Sequence, residues 1–125
     1  MKVYKHQHLT RKIIKGYYEV YNELGSGFLE SVYENALLLV LTDYGLRVRN
    51  QYPIDVYLKD RKVGEFKADL IIEDKILVEL KAVTMLLPVH KAQLINYLKA
   101  TKIEIGLLMN FGDEPEFKRY IFNKR

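Results

Sequence analysis

The sequence predicts an α/β fold, a central mixed sheet flanked by helices, and three features of its hydrophobic pattern predict it. Apolar residues follow helical spacing up to about residue 44 and then alternate with a period of two between residues 54 and 82. Helical spacing returns once more, between that strand region and a further buried strand. Strands that meander can be joined by hairpins, but a helical crossover brings the next strand in parallel, so the sheet must be mixed.

From the N-terminus, the first helix is expected over about residues 10–24, where Ile13, Ile14, Tyr17, Val20, Tyr21 and Leu24 make one apolar face. Gly25, Ser26 and Gly27 break it, since glycine takes backbone angles that other residues avoid. A second helix over about 28–44 ends at Gly45. Ile54, Val56 and Leu58 alternate with Asp55, Tyr57 and Lys59, which predicts a strand. Asp60, Arg61 and Lys62 turn the chain into a second strand at 63–72, and Glu73, Asp74 and Lys75 turn it into a third at 76–82. Pro88 suits the first turn of a helix running to about residue 100. A buried strand at 103–110, a turn at 112–115 and a short strand at 120–122 complete the chain.

A chain of 125 residues suits one domain, expected over residues 1–125 with its core at about 20–112. There is no cysteine, which excludes disulfides, thiolate metal sites and cysteine nucleophiles and fits a reducing compartment. The start of the chain lacks a signal-peptide apolar stretch, and the longest apolar run, residues 36–41, is far too short to span a bilayer. A cytoplasmic protein without membrane contact is the expectation. The formal net charge of +4 permits nucleic-acid binding without requiring it. Lys2, Lys5, Arg11, Lys12 and Lys15 crowd one end, and Lys118, Arg119, Lys124 and Arg125 the other. Such clusters serve either as a solvated surface or as phosphate contacts. No P-loop, dinucleotide fingerprint or nucleophile elbow is present.

The chemistry concentrates between residues 66 and 81. If the three turn residues close a hairpin centred on Asp74, then Ile72 faces Ile76, Leu70 faces Val78, Asp69 faces Glu79 and Lys67 faces Lys81. Alternation then projects Asp69, Glu79 and Lys81 from one face. Carboxylates opposite one another on adjacent strands have Cβ atoms about 4.5–5.5 Å apart and repel. Their apolar neighbours suggest central strands, where unpaired anions are costly. Two compensations are open. Lys67 and Lys81 could pair with the acids, or a divalent cation could sit between them. Oxygen donors with few histidines point to Mg²⁺ or Mn²⁺ rather than zinc.

Ala68, Asp69, a hairpin, then Glu79, Leu80 and Lys81 resemble the D…(D/E)xK signature of the PD-(D/E)xK phosphodiesterase superfamily. Gly27, Glu30 and Tyr33 resemble the motif that names the GxxExxY protein family within it. Ala68 stands where the superfamily's name has proline, a position that varies. The resemblance spans about residues 20–112. It implies a restriction-endonuclease-like αβββαβ core and a Mg²⁺- or Mn²⁺-dependent nuclease acting on DNA or RNA. It further implies that Asp69, Glu79 and the Leu80 carbonyl hold metal, helped by Glu30, while Lys81 orients or activates water. Gln93 and Tyr97, four residues apart on one helix face, resemble the QxxxY motif that contacts nucleic acid in RecB-like exonucleases. A homodimer is compatible with this reading. The alternative is a nucleic-acid-binding or interaction module that keeps the fold without useful catalysis. Read singly, Glu30 could be a surface residue, Gln93 a surface amide, and Tyr33 and Tyr97 core packing. His90 has no second histidine at ligand spacing.

Overall fold

A computed structural model describes residues 5–123, so Lys2, Lys124 and Arg125 of the terminal basic clusters lie outside the described residues. Helix α1 (Gln7–Leu24) buries Ile13, Gly16, Tyr17 and Val20 along one stripe. It starts three residues before the apolar pattern because Thr10 donates both its backbone N–H and its hydroxyl to the His6 carbonyl. Gly25 and Gly27 then take φ of 65° and 107°, angles that a side chain disfavours. The Tyr33 hydroxyl pins this turn, accepting from Phe28 N–H (3.2 Å) and donating to the Gly25 carbonyl (2.6 Å). Helix α2 (Glu30–Asp43) packs on α1 through Leu37 and Leu41.

Five strands follow: β1 (Val48–Leu58), β2 (Arg61–Ile72), β3 (Ile76–Lys81), β4 (Ile105–Phe111) and β5 (Pro115–Ile121), with α3 (Pro88–Lys99) between β3 and β4. They form one sheet in the order β1-β2-β3-β4-β5. Only β3 and β4 pair in parallel, as the α3 crossover requires. The expected mixed sheet with helices on it is therefore what forms.

Both edge strands are longer than their hydrophobic patterns indicate. β1 begins at Val48 rather than near residue 54, and β5 at Pro115 rather than near 120. The added segments carry Arg49, Asn50, Gln51 and Pro53, or Pro115 and Glu116, largely exposed. An edge strand needs no second buried neighbour and tolerates proline, so alternation there is diluted.

Two cores lie on opposite faces of the sheet. One joins α1 and α2 to Leu70, Ile72, Ile76, Val78, Leu80, Leu107 and Met109. The other joins Leu94 and Leu98 of α3 to Ile54, Ala68, Ile71, Leu77 and Leu108. Strand alternation explains β3, where Leu77 faces α3 and so carries Glu79 and Lys81 to that side. It fails once in β1 and β2. Leu70 and Ile72 lie in the first core, but Ala68 and Phe66 pack in the second, although all four are even-numbered. β1 shows the same switch between Val48 and Tyr52. Between them, Gln51 adopts φ 49° and the ladder skips the Gln51–Asp69 pair. The irregularity falls on the strand segment that carries Asp69.

Close approach of α3 to β4 depends on Gly106, where an added Cβ would lie 2.9 Å from Leu94 Cδ1 and 3.1 Å from its Cγ. Gly106→Val should therefore destabilise the protein by about 1–3 kcal/mol through overpacking. Thermal denaturation should show this as a lowered Tm, and an unchanged Tm would contradict the tight contact.

Candidate functional site

The β2–β3 hairpin has the expected register: Ile72 pairs with Ile76, Ile71 with Leu77, and Leu70 with Val78. The ladder stops at that point. Beyond it, side chains replace the backbone acceptors. The Asp69 N–H donates to Glu79 Oε1 (3.1 Å), and the Leu80 N–H donates to Asp69 Oδ2 (2.8 Å). Each carboxyl thus accepts a hydrogen bond from the opposite strand, and the two strands part around the pair. The expected juxtaposition of Lys67 with Lys81 does not form. Lys67 pairs with Pro53 in β1 and Lys81 with Asn110 in β4, because the strands have already separated.

Glu79 is 5 % exposed, and Asp69 is half-buried. Neither acid forms an ion pair with Lys67, Lys81 or any other described cation. The pairing of the acids with lysines, one of the two compensations open in the sequence, is therefore absent. Burial, reinforced by the charge of Asp69, raises the Glu79 carboxyl to about 8. The Asp69 N–H and the Lys81 charge pull it down by less. Near neutral pH Glu79 keeps its proton and shares a hydrogen bond with Asp69.

Helix α3 supplies the opposite wall. Lys81 Nζ donates to Gln93 Oε1 (3.1 Å), and Gln93 Nε2 donates to the Tyr97 hydroxyl (2.8 Å). Gln93 and Tyr97 share a helix face, so one relay runs from β3 onto α3. Burial and then the charges of Glu79 and Asp69 raise the Tyr97 phenol, which keeps its proton and places the ring beside the acid pair. The ring stacks on Phe66, with centroids 3.8 Å apart. His90 acts locally, its Nδ1 accepting the Leu87 N–H (3.0 Å) at the start of α3.

Glu30 is exposed at the first residue of α2 and makes no hydrogen bond or ion pair with Asp69, Glu79 or Lys81. The helical acid linked to the pair is Glu34, one turn further along the same face. Gln51 Nε2 donates to Glu34 Oε1 and lies 3.4 Å from Asp69 Oδ1, joining α2 to the pair through one amide. Among the described residues, no three Asp, Glu, His or Cys side chains converge as a metal-holding group. Asn110 is fully buried and clamps the segment after Lys81. Its side chain accepts the Val83 N–H (3.0 Å) and donates to the Val83 carbonyl (2.9 Å). Glu34, Gln51 and Asn110 were not legible as site residues. Glu34 shows only as an acid one turn after Glu30, and Gln51 and Asn110 belong to no motif. The Tyr33 ring is buried, stacked on Phe111 at 4.0 Å, and serves packing.

A carboxyl pair at the parting of two central strands, on a mixed sheet covered by α1 and α2 on one face and α3 on the other, defines a restriction-endonuclease-like domain. A family model of the PD-(D/E)XK nuclease superfamily matches residues 7–120, and the chain belongs to that superfamily. The crystal structure of SSO0001 is similar in fold, with a TM-score of 0.59 and 20 % sequence identity. The likeness covers 76 % of this chain and 50 % of that one, so the chain spans half the length of this solved relative. No curated protein matches the chain.

The raised Glu79 carboxyl has a consequence for stability. Between about pH 4.5, the value of an ordinary carboxyl, and about pH 8, the folded protein holds a proton that the unfolded chain has released. Stability without metal should therefore fall as pH rises through that window. Glu79→Gln, which mimics the neutral acid, should flatten the decline and raise Tm above pH 8. Melting curves from pH 4 to 9 in EDTA check this. A wild-type Tm that rises across the window would contradict it.

Proposed function

We propose that the protein is a divalent-metal-dependent nuclease that hydrolyses phosphodiester bonds of DNA or RNA. The observation behind this reading is the Asp69–Glu79 pair, two carboxyls held together in the sheet with no ion pair to any described cation. The donor set fits Mg²⁺ or Mn²⁺, since every candidate ligand is a hard oxygen. Asp69, Glu79 and the Leu80 carbonyl would hold the ion, and Glu30, outside direct contact with the pair, would contribute through water. When bound, the ion supplies a water of lowered pKa and charge stabilisation at the phosphate.

The other groups position and neutralise. Lys81 gives one of its three N–H donors to Gln93 and keeps two for a water or a phosphate oxygen. Gln93 fixes the direction of that ammonium, and its bond to Tyr97 leaves the phenol proton free to donate to substrate. Gln51, held by Glu34, orients the free oxygen of Asp69. Within the superfamily, we place the chain in the GxxExxY group on Gly27, Glu30 and Tyr33. The glycine's φ of 107° and the tyrosine's bond to Gly25 account for two of these three residues as turn chemistry. Among the described residues no helix is long and apolar enough to cross a membrane, which is compatible with work on nucleic acid in the cytoplasm, as a monomer or homodimer.

Purified protein should cleave at least one substrate in a panel of single- and double-stranded DNA and RNA with Mg²⁺ or Mn²⁺, and EDTA should stop it. Asp69→Asn and Glu79→Gln keep an acceptor for the backbone N–H groups while removing charge, and they should abolish cleavage. Lys81→Ala should lose about 10²–10³-fold in rate yet still bind metal, and Gln93→Ala about 10–100-fold. If wild type cleaves nothing, and its nucleic-acid affinity falls with salt but ignores chelation, it is a binding module on this fold.

A further inference from the structure

A concavity lies beside the acid pair rather than over it, joined to it by Tyr97. A groove of about 590 Å³ runs between β1 and the C-terminal half of α3, walled by Val56, Tyr57, Phe66, Asn96, Tyr97 and Lys99. It continues into a second depression of about 360 Å³ that shares Asp55, Tyr57 and Ala100 with it. The wall is unusual for a charged protein surface. Phe66 and Tyr97 form a stacked pair tilted by only 14°, and Tyr57 stands 61 % exposed. Among the described residues no aromatic ring packs on Tyr57; its hydroxyl reaches Asp55 Oδ2 at 3.4 Å.

Tyr97 ties the groove to the site. Its ring lines the groove, while its hydroxyl belongs to the Lys81–Gln93 relay and lies near Glu79 and Asp69. A chain whose phosphate lies at the acids can therefore place a neighbouring unit in the groove. The charges permit a polyanion there. Lys99 is at the wall, and the acid within it, Asp55, is ion-paired to Lys62 (3.2 Å). A volume within the ~300–1,000 Å³ of ligand clefts admits a flat base with its sugar. Bases inside a duplex offer no free face to stack on aromatic rings, whereas those of a single strand do.

We propose that this groove binds unpaired nucleobases of a single-stranded polynucleotide, with Tyr57 and the Phe66–Tyr97 pair as the stacking surfaces. This rests on the nuclease reading for the identity of the occupant. The preferred substrate is then a single strand or a frayed end, read by base stacking without sequence-specific hydrogen bonds.

Binding to fluorescent oligodeoxythymidylate and oligouridylate, measured by anisotropy in EDTA so that nothing is cut, tests the proposal. Tyr57 is exposed, so Tyr57→Ala should fold with an unchanged Tm. It should bind at least one of the two strands about 5- to 100-fold more weakly than wild type. An abasic strand of the same length, with the same phosphates, should lose a comparable factor against wild type and be indifferent to the substitution. Equal affinity for abasic and base-bearing strands, or unchanged affinity in Tyr57→Ala, overturns the proposal. So does a change confined to self-association in sedimentation, which would make the groove an interface between copies of this chain. The outcomes separate from those of the nuclease reading. Cleavage by wild type with Tyr57-independent binding removes the groove and leaves the nuclease. Tyr57-dependent binding without any cleavage does the reverse.

Discussion

Two hydrogen bonds, Asp69 N–H to Glu79 and Leu80 N–H to Asp69, govern the shape of the site and of the strands around it. A β-ladder in this position would have used those donors on backbone carbonyls. Exchanging them for carboxyls ends the β2–β3 ladder after Leu70 and Val78 and opens the sheet from within. The same segment of β2 loses its partner on the other side, where Gln51 leaves the ladder at φ 49°. The strands nevertheless stay in register, because Leu70, Ile72, Ile76 and Val78 are fully buried against α1 and α2. A rigid core below the opening lets two like groups be held side by side above it.

Holding them there has an electrostatic cost that the Lys81 charge offsets only in part. With Glu79 raised to about 8, a proton occupies the pair at neutral pH. A hard divalent cation placed between the same oxygens would displace it, since ligation requires the anion. On the proposed reading, proton and ion would compete for one place, and pH would couple to both stability and affinity. Lys81 is close enough to lower the Glu79 carboxyl but is turned to Gln93 instead of closing an ion pair. An ammonium so directed stays available to a ligand, and the relay to Tyr97 connects it with the aromatic groove.

Much of this was legible in the sequence, for physical reasons. The hairpin register followed from three polar residues between two apolar runs, and it brought Asp69 opposite Glu79. The shared face of Gln93 and Tyr97 followed from helical spacing. What stayed hidden depends on departures from periodicity. Simple alternation cannot show the switch of faces at Gln51 and Asp69, so it carried Lys67 towards Lys81, a contact that the parted strands prevent. The edge strands were underestimated because Arg49, Asn50, Pro53 and Glu116 carry no burial signal. Glu34 and Asn110 act through tertiary contacts with residues 17 and 27 positions away, which no local pattern records.

Whether Asp69 and Glu79 hold a divalent cation in place of a proton decides between the proposed chemistry and a merely structural acid pair. Calorimetric titration with Mn²⁺ at pH 6.5, in two buffers of different ionisation enthalpy, measures this exchange itself. Wild type should bind with release of close to one proton per ion, because Glu79 must ionise to ligate. Glu79→Gln should bind far more weakly and release none. Absence of binding by wild type, or equal binding and equal proton release by Glu79→Gln, would rule the exchange out.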